Sequence, residues 1–586
     1  MRQWMVAAKK ADFYAIAEKF HVDPVVARII RNREVIGEKN IRIYLGGNLS
    51  DLSDPHQMKD MDRLVEILAQ KIRKQVHIRI IGDYDVDGVT SSHLFLTALR
   101  RVGAKVDVVI PHRIQDGYGL SLHLLQQAKE DGGDTILTCD NGIAAIDEIA
   151  WAKAQKMTVL VTDHHAVPFE EHEGRRTEKK SLADAVVNPH QQDCRYPYKE
   201  LCGAGVAWNV IRVLYENYDM DKREAEDLLD FVAMATVCDV MSLTGENRIL
   251  VKEGLKRIRH TKNIGLQALM QACNVQPENI SAYHFGYVLG PCVNATGRLD
   301  TARHALRLFE TGQETEAEEI ARDLVDLNQE RKELTLQGVE MAKKLCEEGG
   351  YENDPILVLF LPDVHESIAG LIAGRIREMY NRPVFVLTRG EEGVKGSGRS
   401  TENYSMYENM CGCAELFTKF GGHPMAAGLS LPEENVEKFR RKINENCPLT
   451  VEEVCPDIHI DMAMPVGYAS TELVHQFALL EPFGKDNPSP LFADRNLSIS
   501  RMWLIGKNRN VLRMSVLSEY GQPVPVIFFG DVETLFAYFT EKFGQEEVEN
   551  ALHGRKNRIL FSMVYTAKID FYQGNENLQL EMKYYR

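Results

Sequence analysis

Ile80-Ile81-Gly82-Asp83-Tyr84-Asp85-Val86-Asp87-Gly88 is the stretch that decides how this chain is read. Val76, Ile78, Ile80 and Ile81 lead into it and predict a strand. The strand stops at Gly82, and aspartates follow at every second position. Carboxylates crowded at a strand end are costly unless a positive charge sits among their oxygens. A solvated acidic turn is the plain alternative. An EF-hand loop is not, because Thr90 to Leu94 brings neither the further ligands nor the closing glutamate that loop requires.

Outward from this stretch the chain alternates. Asp60 to Lys74 carries Leu64, Ile67, Leu68 and Ile72 at helical spacing, and Ala11 to Asn48 reads as short helices. Thr90 to Arg101 is expected to be helical, Val106 to Ile110 a strand, Leu120 to Glu130 a helix and Asp134 to Thr138 a strand. Ile143 to Gln155 follows as helix, Met157 to Val161 as strand, and Ala185 to Asn188 as a fifth strand. Such alternation predicts an α/β fold with a parallel sheet. Asp83, Asp85 and Asp87, then Asp140, then Asp163, His164 and His165, each directly follow a strand. In a parallel sheet those carboxyl ends share one edge, where ligands bind.

Beyond Leu201 the chain is apolar and helical up to Leu250. Asp239 ends the run Ala235-Thr236-Val237-Cys238, a position more often a helix cap than a ligand. Glu314 to Glu348 has no proline and predicts a connecting helix of about 50 Å. A second α/β unit follows, with strands at Ile356 to Leu361 and Val384 to Leu387 around a helix from Ile368 to Tyr380. Lys395-Gly396-Ser397-Gly398-Arg399-Ser400 and Gly421-Gly422-His423 are glycine-rich. Backbone N–H groups there, with Ser397 and Arg399, would suit a phosphate; an ordinary hairpin is the alternative. From about Asp457, five strand-like runs and a helix at Val532 to Phe543 predict a small barrel of the OB type. Phe528 and Phe529 fit either a stacking role or its core.

Composition sets limits. The 586 residues allow three or four domains of roughly 150 residues each. No apolar run approaches the ~18 residues of a membrane span, and Met1 to Lys10 lacks a signal-peptide core. Eleven scattered cysteines favour a reducing cytoplasm, and Cys194, Cys202, Cys411 and Cys413 form no zinc pattern. A formal charge of −16 argues against a general nucleic-acid binder and leaves room for a local basic channel.

Carboxylates mixed with imidazole suit manganese, cobalt or iron better than magnesium alone. So many donors exceed the needs of one ion. Two ions ~3.5–4 Å apart typically serve phosphate-ester cleavage.

Asp83-Tyr84-Asp85-Val86-Asp87-Gly88, Asp140-Asn141-Gly142 and Asp163-His164-His165 resemble the motifs of the DHH phosphoesterase superfamily. Gly203-Ala204-Gly205, Asp239, Gly245-Glu246-Asn247-Arg248, Asn294-Ala295-Thr296-Gly297-Arg298-Leu299, Gly396-Ser397-Gly398-Arg399-Ser400 and Gly421-Gly422-His423 extend the likeness from about residue 60 to the barrel. Together they resemble its single-strand-specific 5′→3′ exonuclease branch. The resemblance implies an N-terminal segment (1–60), a catalytic DHH domain (61–313) and the connecting helix (314–350). A DHHA1-like substrate-binding domain (351–450) and an OB-like nucleic-acid-binding domain (451–586) complete it. It implies a metal-dependent 5′→3′ exodeoxyribonuclease of DNA repair and recombination. Its cofactors would be two divalent cations, Mn2+ or Mg2+, and its substrate single-stranded DNA. A helicase or a single-strand-binding protein would be its protein partner, with no membrane role. Asp83, Asp85, Asp87, Asp140, His164 and Asp239 are the implied metal ligands, with Asp140 bridging. Asp163 orients the histidines and His165 contacts the scissile phosphate. Arg298 binds phosphate beside the metals, Arg113, Ser397 and Arg399 hold the 5′ end, and His423 contacts substrate. His365-Glu366-Ser367-Ile368-Ala369-Gly370 departs from the family's usual apolar-glycine sequence after the His-Glu pair. Two readings remain beside this one: a DHH enzyme acting on short RNA or cyclic dinucleotides, and a non-catalytic scaffold subunit of a replicative helicase.

Overall fold

The computed structural model describes residues 3–586 except 114, 115, 118, 173, 174, 391, 392, 507, 508 and 573. The chain divides into two compact units. One comprises Leu52–Met241 and Glu246–Pro456; the other joins Gln3–Asp51 and Ser242–Gly245 to Asp457–Arg586.

In the first unit, β1 (His77–Ile81), β2 (Lys105–Val109), β3 (Thr135–Cys139), β4 (Thr158–Thr162) and β5 (Ala185–Val187) form one parallel sheet in the order β2-β1-β3-β4-β5. The order reverses between β1 and β3, so the loops leaving those two strands diverge and open a crevice. Helix α1 (Val86–Arg101) leaves β1 through the aspartates. It begins four residues earlier than the sequence reading placed it, because Asp85 is its N-cap and accepts the Gly88 N–H at 3.0 Å. Val86 and Asp87 therefore lie in its first turn.

Helices α2 (Gly203–Asn217), α3 (Leu229–Cys238), α4 (Ile264–Ala272) and α5 (Gly290–Leu299) are the ones in this lobe that bear on the crevice. Helix α6 (Glu314–Glu348) runs 35 residues, about 50 Å. Its first half buries Ala317, Ile320 and Leu324, and its second half places Val339, Ala342 and Cys346 in the core beyond. That core belongs to a five-stranded sheet, β9-β10-β8-β7-β6. Its strands are β6 (Leu357–Phe360), β7 (Val384–Gly390), β8 (Gly393–Arg399), β9 (Lys419–Gly422) and β10 (Ala426–Leu431), with helix α7 (Ala369–Tyr380) against it.

The stretch Lys395 to Arg399 is thus a central strand. Its backbone pairs with β7 on one side and β10 on the other, from Val394 to Arg399 on both. A backbone cradle for phosphate is therefore ruled out there, since the N–H groups are spent in the two ladders. Only side chains remain to meet a ligand.

The second unit is built on a closed barrel. Strands β11 (Phe492–Ile505), β12 (Val511–Leu517), β13 (Pro523–Phe528), β15 (Asn575–Tyr585) and β14 (Leu560–Tyr572) follow one another, and β14 pairs back to β11. Two helices follow β13, α8 (Val532–Phe543) and α9 (Gln545–Leu552), where the sequence predicts one. Phe528 is buried and Phe529 is exposed. The helices at Phe13–Phe20, Pro24–Asn32 and Glu38–Gly46 bury Val25, Val26, Ile29, Ile30 and Ile41 in the same core as Met502, Leu512 and Phe539. Trp4–Val6 adds a short parallel pairing to Ile458–Ile460. Among the described residues no helix is long and apolar enough to cross a membrane.

Candidate functional site

The crevice at the carboxyl ends of β1, β3 and β4 collects the ionisable residues of four segments. Asp87 accepts the N–H groups of Gly203 and Ala204 at 2.6 and 2.7 Å, so the buried carboxylate fixes the start of α2. Asp140 follows β3 with φ at 62°, a left-handed conformation that aspartate tolerates better than most residues. Asn141 donates to the Ile81 and Cys139 carbonyls and ties the two loops together.

Helix α5 supports the loop from below. Asn294 Oδ1 accepts the Val86 N–H at 3.2 Å. A Cβ on Gly297 would overlap the Tyr84 carbonyl oxygen, so this contact needs glycine.

His164 Nε2 lies 3.1 Å from Asp140 Oδ1 and 3.6 Å from carboxylate oxygens of both Asp87 and Asp239. Asp239 caps α3 as its position suggests, yet its carboxylate reaches the cluster. Among the described residues three groups of donors each lie within 4.8 Å: Asp83, Asp85 and Asp140; Asp87, His164 and Asp239; and Asp140, His164 and His165. Asp140 belongs to two of them. Asp163 stands behind. Its Oδ1 accepts the N–H groups of His164 and His165 and lies 2.8 Å from His165 Nδ1, while its Oδ2 accepts the Ile143 N–H.

The electrostatics of the cluster fit bound cations. Burial, then the charge of Asp85, holds Asp83 well above the ordinary carboxyl range. Burial with Asp87 and Asp85 does the same to Asp140, and Asp85 is raised by desolvation and Asp87. Burial lowers His164, as a neutral ligand requires. At His165 burial opposes charge, but the hydrogen bond to Asp163 together with the charges of Asp163, Asp239 and Asp87 outweighs it and raises the imidazole to about 9. Two unit charges 4 Å apart repel by about 4 kcal/mol even at an effective dielectric of 20. Asp83 Oδ1 and His164 Nε2 are buried and make no hydrogen bond. Orphaned acceptors and mutual repulsion are both relieved by divalent ions, so the donor set fits them.

A second cluster is positive. Burial and the charges of Arg113, Arg331 and Arg399 push Arg298 down to about 9. Arg298 donates to the Ser367 carbonyl at 2.5 Å, and the Arg113 guanidinium lies 4.1 Å over the Tyr84 ring. Arg399 donates to Ser397 Oγ at 3.3 Å and to the Gly398 carbonyl. A cavity of about 550 Å³ opens beside them, its walls including Tyr84, Arg113, Ser367, Lys395, Ser397 and Lys419. Gly370 admits the close approach of these side chains, since a Cβ there would stand 2.7 Å from Ser397 Oγ and 2.9 Å from Arg399 Nη2. His423 is exposed beyond β9 and is not among the residues lining this cavity.

Position in the sequence does not single out Tyr84, Asn141, Asn294 or Gly370 for the tasks they perform. Their only signal is membership of the quoted motifs or nearness to them.

Comparison with known proteins agrees with this geometry. The chain matches the DHH family N-terminal domain over residues 77–236, the DHHA1 domain over 353–447 and the RecJ OB domain over 460–584. It is 32% identical over 582 residues to the single-stranded-DNA-specific exonuclease RecJ of Haemophilus influenzae, covering 96% of each chain. It is 33% identical over 512 residues to the RecJ of Bacillus subtilis, where 87% of this chain aligns with 63% of that longer protein. The fold is similar to the crystal structure of RecJ in complex with Mn2+ from Thermus thermophilus. The TM-score is 0.81 at 25% identity, with 100% of this chain and 79% of that chain covered. Near-complete coverage of a relative at this identity, with all three domain matches in order, means that the chain belongs to the RecJ family of single-stranded-DNA-specific exonucleases.

Proposed function

We propose that this chain is a metal-dependent, single-strand-specific 5′→3′ exodeoxyribonuclease that releases mononucleotides. The observation that carries the reading is the pairing of two buried clusters in one unit, carboxylates with His164 on one side and arginines on the other. The first suits divalent cations, and the second suits the phosphates of a strand end.

Asp83, Asp85, Asp87, Asp140, His164 and Asp239 would hold two divalent cations, Mn2+ or Mg2+, with Asp140 shared. Bound there, such ions supply Lewis acidity toward a phosphodiester and lower the pKa of water. The chain's own residues do the rest. Asp163 fixes the His165 imidazole and keeps it charged, so that it meets negative charge developing at the scissile phosphate. Arg298 neutralises a neighbouring phosphate. Arg113, Ser397 and Arg399 receive the 5′ end, whose terminal phosphate carries more charge than an internal diester. His423 contacts substrate from the hairpin.

The sequence divisions carry these tasks. Residues 61–313 are the catalytic domain, 314–350 the connecting helix, 351–450 the substrate-binding domain and 451–586 the module that holds the strand by its groove and aromatics. The N-terminal segment, 1–60, contributes helices that buttress this last module. A cytoplasmic setting fits eleven unpaired cysteines. A helicase or a single-strand-binding protein would deliver the unpaired strand. The complete donor set speaks against a non-catalytic scaffold, and the barrel favours a polymer over a cyclic dinucleotide.

The test is digestion of end-labelled single strands and duplexes with Mn2+, Mg2+ or a chelator. Mononucleotides should leave the 5′ end of the single strand only, and only with metal. Release from the 3′ end, or equal attack on the duplex, would overturn the reading.

A further inference from the structure

Two cysteines that the proposed chemistry does not use face each other behind the site. Cys273 closes α4, and its N–H donates to the Leu269 carbonyl. Cys292 lies in the first turn of α5. Their Sγ atoms are 3.8 Å apart. Cys292 is buried, whereas Cys273 is partly exposed.

The surroundings divide the two roles: the contact with Cys273 and burial raise the Cys292 thiol and keep it protonated, which leaves Cys273 as the thiol that ionises. Asn328 Nδ2 of α6 stands 3.3 Å from Cys292 Sγ. The contact with Cys292 and the nearby charge of Lys332 lower the Cys273 thiol, although burial opposes them. A disulfide needs its sulfurs about 2.05 Å apart. Closing the gap requires a shift of about 1.8 Å, which rotation of the Cys273 side chain begins and a small approach of the two helices completes. Cys273 is the residue with room to turn, because the helix ends there and Asn274 leaves it at φ 55°.

We propose that Cys273 and Cys292 form a reversible redox modification site that takes peroxide as its oxidant and tethers α5 to α4. The Cys273 thiolate attacks one peroxide oxygen and breaks the O–O bond, giving a sulfenic acid; the released hydroxide takes a proton to become water. The Cys292 thiol then attacks the Cys273 sulfur, loses its proton and expels the sulfenyl oxygen as a second water. The balance is two thiols and one H2O2 to one disulfide and two H2O, and a thiol reductant reverses it. The tether matters because of what α5 carries. Asn294, two residues on, holds the Val86 N–H, Gly297 seats the Tyr84 carbonyl, and Arg298 reaches Ser367. Drawing the first turn of α5 toward α4 strains the helix that seats the aspartate loop, and the reaction slows.

The experiment uses the full chain. Hydrogen peroxide is added in slight excess, removed with catalase, and free thiols are blocked with N-ethylmaleimide. The number of blocked thiols should fall by two from the eleven present, with a reducible link between the peptides holding Cys273 and Cys292. Cys273→Ser, chosen because that position is partly exposed, should keep its circular dichroism and melting temperature and form no such link. The same oxidised sample should digest single strands several-fold more slowly, recover with dithiothreitol, and show no such loss as Cys273→Ser. This second arm rests on the exonuclease reading; the thiol count does not, so failure of either is told apart. A folded wild type that forms no 273–292 link overturns the site. A link that leaves the rate unchanged overturns its coupling to α5.

Discussion

Under the proposed function, polarity turns on one residue, Arg399. It is an isolated arginine in a glycine-rich strand, held by Ser397 Oγ and its neighbour's carbonyl, and burial lowers its pKa. Among the described residues no carboxylate pairs with it, and a desolvated guanidinium of that kind gains most from a doubly charged phosphate. Arg399→Ala should therefore slow digestion of 5′-phosphorylated strands about ten- to a hundredfold, the effect of losing ~1.5–3 kcal/mol. Metal binding should persist. Initial rates on 5′-phosphate and 5′-hydroxyl substrates check this, since the mutant should discriminate less between them. Equal losses on both would remove Arg399 from the end-reading role. Asp83, Asp85, Asp87, Asp140 and His164 were legible as a converging set because each follows a strand, and the sheet brings strand ends together. Asp239 was not legible from position. It ends a helix, where a cap is the ordinary reading, and only tertiary packing puts its carboxylate 3.6 Å from His164 Nε2.

At the scale of elements, α5 and α1 act as one support. Gly297 is the contact point, and a methyl group there must displace the Tyr84 carbonyl, between Asp83 and Asp85. Gly297→Ala should cost about 1–3 kcal/mol of stability through overpacking. It should also lower the rate and the metal affinity by more than a surface substitution does. Thermal melts with metal titrations check this, and unchanged metal affinity would count against α5 as a support. The elements of the first sheet were legible because apolar runs of four to six residues alternate with helical periods. Strand β8 was obscured by its glycines. Gly396 and Gly398 lie where side chains would overlap Leu387 and Phe385 of β7, so the usual apolar alternation is missing. The start of α1 was obscured for a different reason: aspartates that look like loop ligands also make good caps and first-turn residues.

The whole molecule divides differently from a simple string of domains. The N-terminal helices read correctly as helices, but periodicity does not say what a helix packs on. Val25, Val26, Ile29, Ile30 and Ile41 share the core of the barrel more than 450 residues away in sequence. Each such side chain stabilises by about 1.5–3 kcal/mol when buried. A fragment ending at residue 456 should therefore expose that face and aggregate. A fragment spanning 52–456 should stay monodisperse, cleave short oligonucleotides and lose affinity for long ones. Size-exclusion chromatography and binding at one fixed salt concentration compare the two, and equal behaviour of both fragments would contradict the shared core.

The buried carboxylates have a further consequence, which concerns the lifetime of the protein in a cell. Their repulsion burdens the folded chain and is relieved when cations bind, so folding and metal occupancy form one equilibrium. Ligand at a hundred times its Kd adds about 2.7 kcal/mol to stability. Proteases act on the opened chain, so the turnover of this enzyme should follow the free divalent concentration and quicken when metal is scarce. Asp140→Asn separates the two sides of the bargain. Asparagine keeps the left-handed backbone and removes one charge, so in chelator the inactive variant should outlast the wild type under proteolysis. With Mn2+ the order should reverse, because only the wild type gains the full increment from its ions.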